Sequence, residues 1–154
     1  MPAPVSDLDI VARTVWGEAR GEGETGMRAV ACVVVTRARL AREHRAATGK
    51  KHPLFGDGTL AGACLVKFQF SCWNEHDPNL AKLKAVGIPD SAFIAARVVA
   101  YEAVNGHLPD TTNGATHYMA YRDFAAARVG HWSQRMMVTE RIGGHVFMRE
   151  PDHG

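Results

Sequence analysis

The chain is 154 residues long, the length of one domain, and a chain of that size buries about 68–70% of the surface its unfolded form exposes. Hydrophobic residues at 46% and charged residues at 22% match soluble globular proteins, which excludes disordered and fibrous chains. With 18 Lys and Arg against 16 Asp and Glu, the formal charge of +2 is too weak for a nucleic-acid partner but compatible with an anionic polymer.

Ser6 followed by Asp9 resembles a capping box in its Asp variant, and Leu8, Val11 and Val15 recur at helical spacing, which predicts a first helix from about residue 7 to about 18. Gly17, Gly21, Gly23 and Gly26 then predict a turn, with a second helix starting near Thr25. Ala29 to Val35 is apolar all round, so periodicity alone allows a buried strand; the register continues through Leu40 to about His44, which favours a central helix. Residues 45 to 79 carry Gly, Pro, Asp and Asn throughout and predict a loop or hairpin layer, with an extended piece from Leu65 to Trp73. A short helix is expected near Ala81 to Val86. A longer one follows Pro89-Asp90-Ser91 and ends at Asn105-Gly106. Beyond Pro109 a helical candidate spans about Asp123 to Arg128, and Gly144 to Met148 reads as a final strand.

The Ala29–Val35 run is far short of the roughly 20 residues of a membrane helix, so no membrane insertion is expected. The N-terminus lacks a basic region followed by an apolar stretch, so the chain is expected to be made in the cytoplasm without a signal peptide, or to have been trimmed. Cys32, Cys64 and Cys72 are odd in number and lack C-x-x-C spacing, which indicates neither a disulfide framework nor a structural zinc site; a single Cys64–Cys72 bridge stays open.

Glu18 is the most informative residue. It lies three positions after Val15 and seven after Val11 on the apolar stripe of the first helix, and near that helix's C-terminus. Partial desolvation and the negative end of the helix dipole both favour the protonated carboxyl, the state a general acid needs. Capping or ion pairing by Arg20 or Arg13 is the competing explanation. Glu22, four residues on, suggests a carboxylate pair, which the intervening glycines weaken. Phe68 to Asn74 mixes aromatic rings with amide and hydroxyl groups that suit sugar faces, or else forms a strand with alternate residues in the core. His117, His131 and His145 could meet as a zinc triad, although H-E-x-x-H is absent. Neither G-x-S-x-G nor a phosphate-binding G-x-x-x-x-G-K-[ST] occurs.

Trp16-Gly-Glu-Ala-Arg-Gly-Glu22 and Gly26 through Arg37 resemble the opening signature of the SleB-like cell wall hydrolases. Gln69-Phe-Ser71, Gly114-Ala-Thr-His-Tyr118, Trp132-Ser133 and Ile142-Gly-Gly-His-Val-Phe147 resemble the family's later blocks in the same order. The resemblance implies an α+β, mainly α, lysozyme-like domain with a small β element, related to goose-type lysozyme and lytic transglycosylases and occupying residues 1–154. It further implies cleavage of the β-1,4 bond between N-acetylmuramic acid and N-acetylglucosamine. By resemblance Glu18 is the catalytic acid, Glu22 a supporting group, and Gln69, Ser71, His117 and Tyr118 match cleft-forming blocks; Phe70 and Trp73 of the aromatic stretch are expected to bind substrate beside them. Thr36 stands where the family usually has Asn, and Met119 where a His often follows.

The mechanism so implied uses no cofactor and no metal. Protonated Glu18 donates to the glycosidic oxygen and, in a transglycosylase, then takes the proton of the muramic C6 hydroxyl; in a hydrolase, water positioned by Glu22 replaces that hydroxyl. The expected partner is the peptidoglycan glycan strand, met by a monomer. The small chain without a leader fits a phage-type endolysin released to the wall, or a trimmed bacterial remodelling enzyme. A zinc amidase built on His117 and His145 and a silent glycan-binding module built on Phe68 to Trp73 are the rivals.

Overall fold

The computed structural model describes residues 3–151. Helix α1 (Ala3–Ala19) leads through one 3-10 turn (Arg20–Glu22) into α2 (Gly23–Thr48). Three shorter segments follow: α3 (Leu60–Leu65), a 3-10 turn at Ser71–Trp73, and α4 (Asn79–Ala85). Helix α5 (Ser91–Val104) precedes β1 (His117–Ala120), α6 (Tyr121–Ala125), a 3-10 turn at Trp132–Arg135, β2 (Met137–Ile142) and β3 (His145–Arg149). The strands form one antiparallel sheet in the order β1-β3-β2.

The apolar run of α2 is helical because its environment is apolar on every side. Ala29 through Val34 are all buried, enclosed by α1 and α5 on one side and by the sheet on the other. Val11, Ala12, Val15 and Ala19 of α1 meet Val30, Ala31 and Val34 of α2 and Phe93, Ala96, Val99 and Ala100 of α5 in the main core. A smaller cluster of Ala29, Val33, Ala115 and Phe147 attaches the sheet to the back of α2. Local chemistry fixes the ends: Gly49 closes α2 in a left-handed conformation (φ 75°), and the Asp90 carboxylate accepts from the Phe93 N–H to start α5.

Several sequence expectations are corrected. The first helix begins at Ala3, so Ser6 lies inside it rather than capping it, and Asp9 pairs with Arg13 at 2.9 Å. The second helix starts at Gly23 and runs on to Thr48. Leu65 to Trp73 is not a strand: α3 ends at Leu65, and the 3-10 turn over Ser71–Trp73 sends Phe70 and Cys72 into the core. The alternation of large apolar and polar residues there serves a tight turn, with no partner strand to pair with. Strands β1 and β2 were not foreseen, because β1 is four residues long and β2 has a mostly exposed side-chain pattern. The helical candidate near Asp123 to Arg128 forms earlier, at Tyr121–Ala125. Cys32, Cys64 and Cys72 are buried free thiols, so the Cys64–Cys72 bridge is not made. Among the described residues no helix is long and apolar enough to cross a membrane.

Candidate active site

Glu18 is the next-to-last residue of α1, held half-buried where the helix stops. The Tyr118 hydroxyl of β1 donates a hydrogen bond to Glu18 Oε1. Tyr118 is steadied by Phe147, stacked at 5.5 Å, and by the edge of His145 at 5.2 Å. Burial, and then the Glu18 carboxylate, push the Tyr118 phenol well above its ordinary range, so it remains a proton donor at any working pH. Burial likewise pushes the Cys64 thiol up to about 12, and burial with Glu18 beside it pushes Cys72 higher still. Both thiols therefore stay neutral. The two arginines that could have paired Glu18 do not. Arg13 binds Asp9 and the carbonyls of Leu83 and Val86, and Arg20 lies over the Trp16 ring at 4.2 Å and donates to Asn79.

Arg37 approaches the same carboxyl from α2. It is 4% exposed, donates to the Thr116 carbonyl at 2.7 Å and to Gln69 at 3.4 Å, and lies against the rings of Phe55 and Phe70. Burial lowers its pKa, while the nearby Tyr118, Cys64 and Glu18 favour keeping the charge. A guanidinium enclosed by two rings and two acceptors is a fixed positive charge at the edge of the site.

Glu22, at the end of the 3-10 turn, is enclosed by glycine. A Cβ on Gly26 would lie 2.4 Å from Glu22 Cβ, and Cβ atoms on Gly143 or Gly144 would each lie 2.9 Å from a Glu22 carboxylate oxygen. The carboxylate can approach the β2–β3 turn only because that turn has no side chains. His145 Nδ1 lies 3.4 Å from Glu22 Oε1. Glu18, Tyr118, His145 and Glu22 thus form one continuous constellation. Gly144→Ala is expected to push the flexible end of Glu22 aside, costing less than about 1 kcal/mol of stability while lowering activity as much as Glu22→Gln does. Denaturant titration and wall-clearing rates check this.

Beside Tyr118 and Arg37 lies a hollow of about 300 Å³ that also meets Gln69, Phe68, His117 and Trp132. Phe68 is 72% exposed and holds φ at 69°, a left-handed conformation that a bulky residue adopts at a cost. His117 bonds Thr116 Oγ1 at 2.8 Å and packs its ring 5.4 Å from Trp132. Burial, with Arg37 nearby, lowers His117 from 6.5 to about 4. Between those values the unfolded chain binds a proton that the folded chain does not, so this group's contribution is present above about pH 6.5 and is lost as pH falls through about 4. Stability measured by denaturant is expected to decline over that window, and His117→Gln to flatten the decline.

A model of the cell wall hydrolase family matches residues 21–148. The chain belongs to that family. A spore cortex-lytic enzyme of Halalkalibacterium halodurans is 31% identical over 149 residues, covering 96% of this chain and 36% of the relative, so the chain spans about a third of that relative's length. Two solved structures share the fold. The catalytic domain of the Bacillus cereus SleB protein has a TM-score of 0.64 at 23% identity, covering 94% of this chain and 91% of that one. The catalytic domain of the germination-specific lytic transglycosylase SleB from Bacillus anthracis has 0.63 at 24%, covering 94% of each. The mainly α fold with a small sheet expected from sequence is the one found.

Within this cell wall hydrolase, the residues singled out by sequence divide between the site and the core. Glu18, Glu22, Gln69, His117 and Tyr118 gather around it. Phe70 is 2% exposed under Arg37, so it supports the site from below and offers no face to a ligand. Trp73 donates its indole N–H to Thr14 at 2.8 Å, and Ser71 is exposed on the same 3-10 turn. The zinc triad does not form: His145 is beside Glu22 and Tyr118 while His131 bonds Ser133, and among the described residues no three histidine, cysteine or carboxylate groups could share a metal. Sequence reasoning passed over Arg37, Trp132 and the outward turn of Phe68. Arg37 had a signal, as a lone cation on the otherwise apolar face of α2.

Proposed function

We propose that the chain cleaves the β-1,4 bond between N-acetylmuramic acid and N-acetylglucosamine in peptidoglycan, as a lytic transglycosylase in which Glu18 is the acid and then the base. The observation that carries this reading is the Tyr118 hydroxyl on Glu18 Oε1, which fixes the carboxyl at the helix end and reserves its other oxygen for the moving proton. Glu18 gives that proton to the glycosidic oxygen as the bond from muramic C1 breaks, and the N-acetylglucosamine leaves with its 4-hydroxyl restored. The ionised Glu18 then takes the proton of the muramic C6 hydroxyl, whose oxygen closes on C1 to give a 1,6-anhydro end. Arg37 supplies fixed positive charge beside the carboxylate between the two steps.

His145 packs its ring against Tyr118, and its 3.4 Å approach to Glu22 favours a second reading in which the pair holds a water that replaces the C6 hydroxyl. On either reading the chain works on the wall as a monomeric catalytic domain whose partner is the glycan strand. Mass spectrometry of digested peptidoglycan separates the readings. Anhydromuramic ends are expected, new reducing ends would select the water-based route, and free peptide amines with intact glycan would overturn both.

A further inference from the structure

The hollow beside Tyr118 is the middle of three. Through Phe68 it adjoins one of about 600 Å³ under the Leu65–Asp77 loop, and through Leu54, His117 and Trp132 it adjoins another of about 590 Å³ between α2 and the sheet. The flanking hollows differ in charge. The first holds Lys67 against Glu75 and Asp77, whereas the other holds Arg39, Arg135 and Arg149 against Glu150. In a peptide-bearing glycan strand the sugar backbone is uncharged, because the lactyl carboxyl is an amide, so the negative charges are the carboxylates of the stem peptide. The peptide branches from the muramic residue, whose bond the adjoining site is read to cut.

We propose that the arginine-lined hollow between α2 and the Trp132–Arg135 turn receives the stem peptide of the muramic residue, with Arg39 and Arg135 meeting its carboxylates. The assignment rests on the glycan-cleavage reading. Arg39 is half exposed and pairs with Glu43, also exposed, at 2.7 Å, a surface pair weak enough to be exchanged for a ligand carboxylate. Arg135 is exposed on its 3-10 turn and can swing over the hollow. Leu40, Leu54 and Phe55 give an apolar wall for alanyl methyl groups. His52 Nδ1 accepts from the Leu54 and Phe55 N–H groups, which leaves Nε2 for a peptide amide, and burial and then His44 lower its pKa and so disfavour a further charge there.

The test uses two substrates and one ligand: peptide-bearing glycan strands, the same strands stripped of peptide by an amidase with the freed lactyl carboxyl recapped as its methyl amide, and a synthetic stem pentapeptide. Arg135→Gln and Arg39→Gln, with melting temperatures checked against wild type, are each expected to raise KM on peptide-bearing strands about fivefold with kcat unchanged. They should leave stripped strands unaffected and weaken pentapeptide binding by the same factor in calorimetry, with Arg135→Lys recovering part of the loss. Variants that match wild type on both substrates, or are weakened equally on both, overturn the proposal and leave glycan cleavage standing. A chain that binds the pentapeptide through Arg135 but cuts neither strand upholds the hollow and overturns the cleavage reading.

Discussion

Glu18→Gln is expected to fold as the wild type does and to lose lytic activity by about 10²–10⁴-fold. The amide keeps the shape of the carboxyl and can still accept from Tyr118, so α1, the main core and the position of β1 are undisturbed. It cannot give up a proton to a leaving oxygen, nor take one back. A thermal melt together with turbidity loss of purified walls separates the two effects. A folded variant retaining more than about a tenth of the activity would sink the assignment. Glu22→Gln is expected to cost less, because Glu22 acts from beside His145 and donates no proton in the proposed sequence.

Tyr118→Phe is expected to lower kcat by about ten- to hundredfold with little change in KM. The ring stays, stacked on Phe147 and edge-on to His145, so the sheet keeps its packing. What disappears is the donor that holds one oxygen of Glu18 and so determines which oxygen faces the bond. A purely structural role would lower the melting temperature without separating kcat from KM. Steady-state kinetics on soluble glycan fragments, read beside the melt, distinguish the two.

The helical part of the molecule was legible wherever a single periodicity ran long enough to dominate. Val11, Val15 and Glu18 share a face, and Pro89-Asp90-Ser91 announces α5, for which the structure makes Asp90 the cap; both helices survive in the structure. The Ala29–Val35 run was ambiguous in sequence because an apolar segment with no polar face has nothing to mark its period, and only the length over which the register continued, to about His44, decided for a helix. The site was half legible. Glu18 and Glu22 announced themselves as carboxylates among apolar residues and glycines, but the reason for the glycines was hidden. Gly144 read as the start of the final strand, whereas it lies in the turn before β3, and the lack of side chains at Gly143 and Gly144 makes room for Glu22, more than 100 residues earlier in the chain. Phe68 and Phe70 show the limit of pattern reading, since two aromatics two residues apart have opposite fates. Phe68 takes a left-handed conformation and faces solvent, whereas Phe70 enters the core. Alternation along a strand would have put both on one face.

The bond between Tyr118 and Glu18 joins residues 100 positions apart, and the sheet that carries Tyr118 is anchored to α2 by a cluster of only four fully buried side chains. The helices, with their local contacts, are suited to assemble early, and the sheet to arrive last and detach first. Synthesis runs in the same order, since α1 precedes β1 and β3 along the chain. A nascent or partly opened chain therefore carries its acid without the group that aims it. On the proposed function, cleavage depends on the docking of the sheet as well as on the helix that carries the acid.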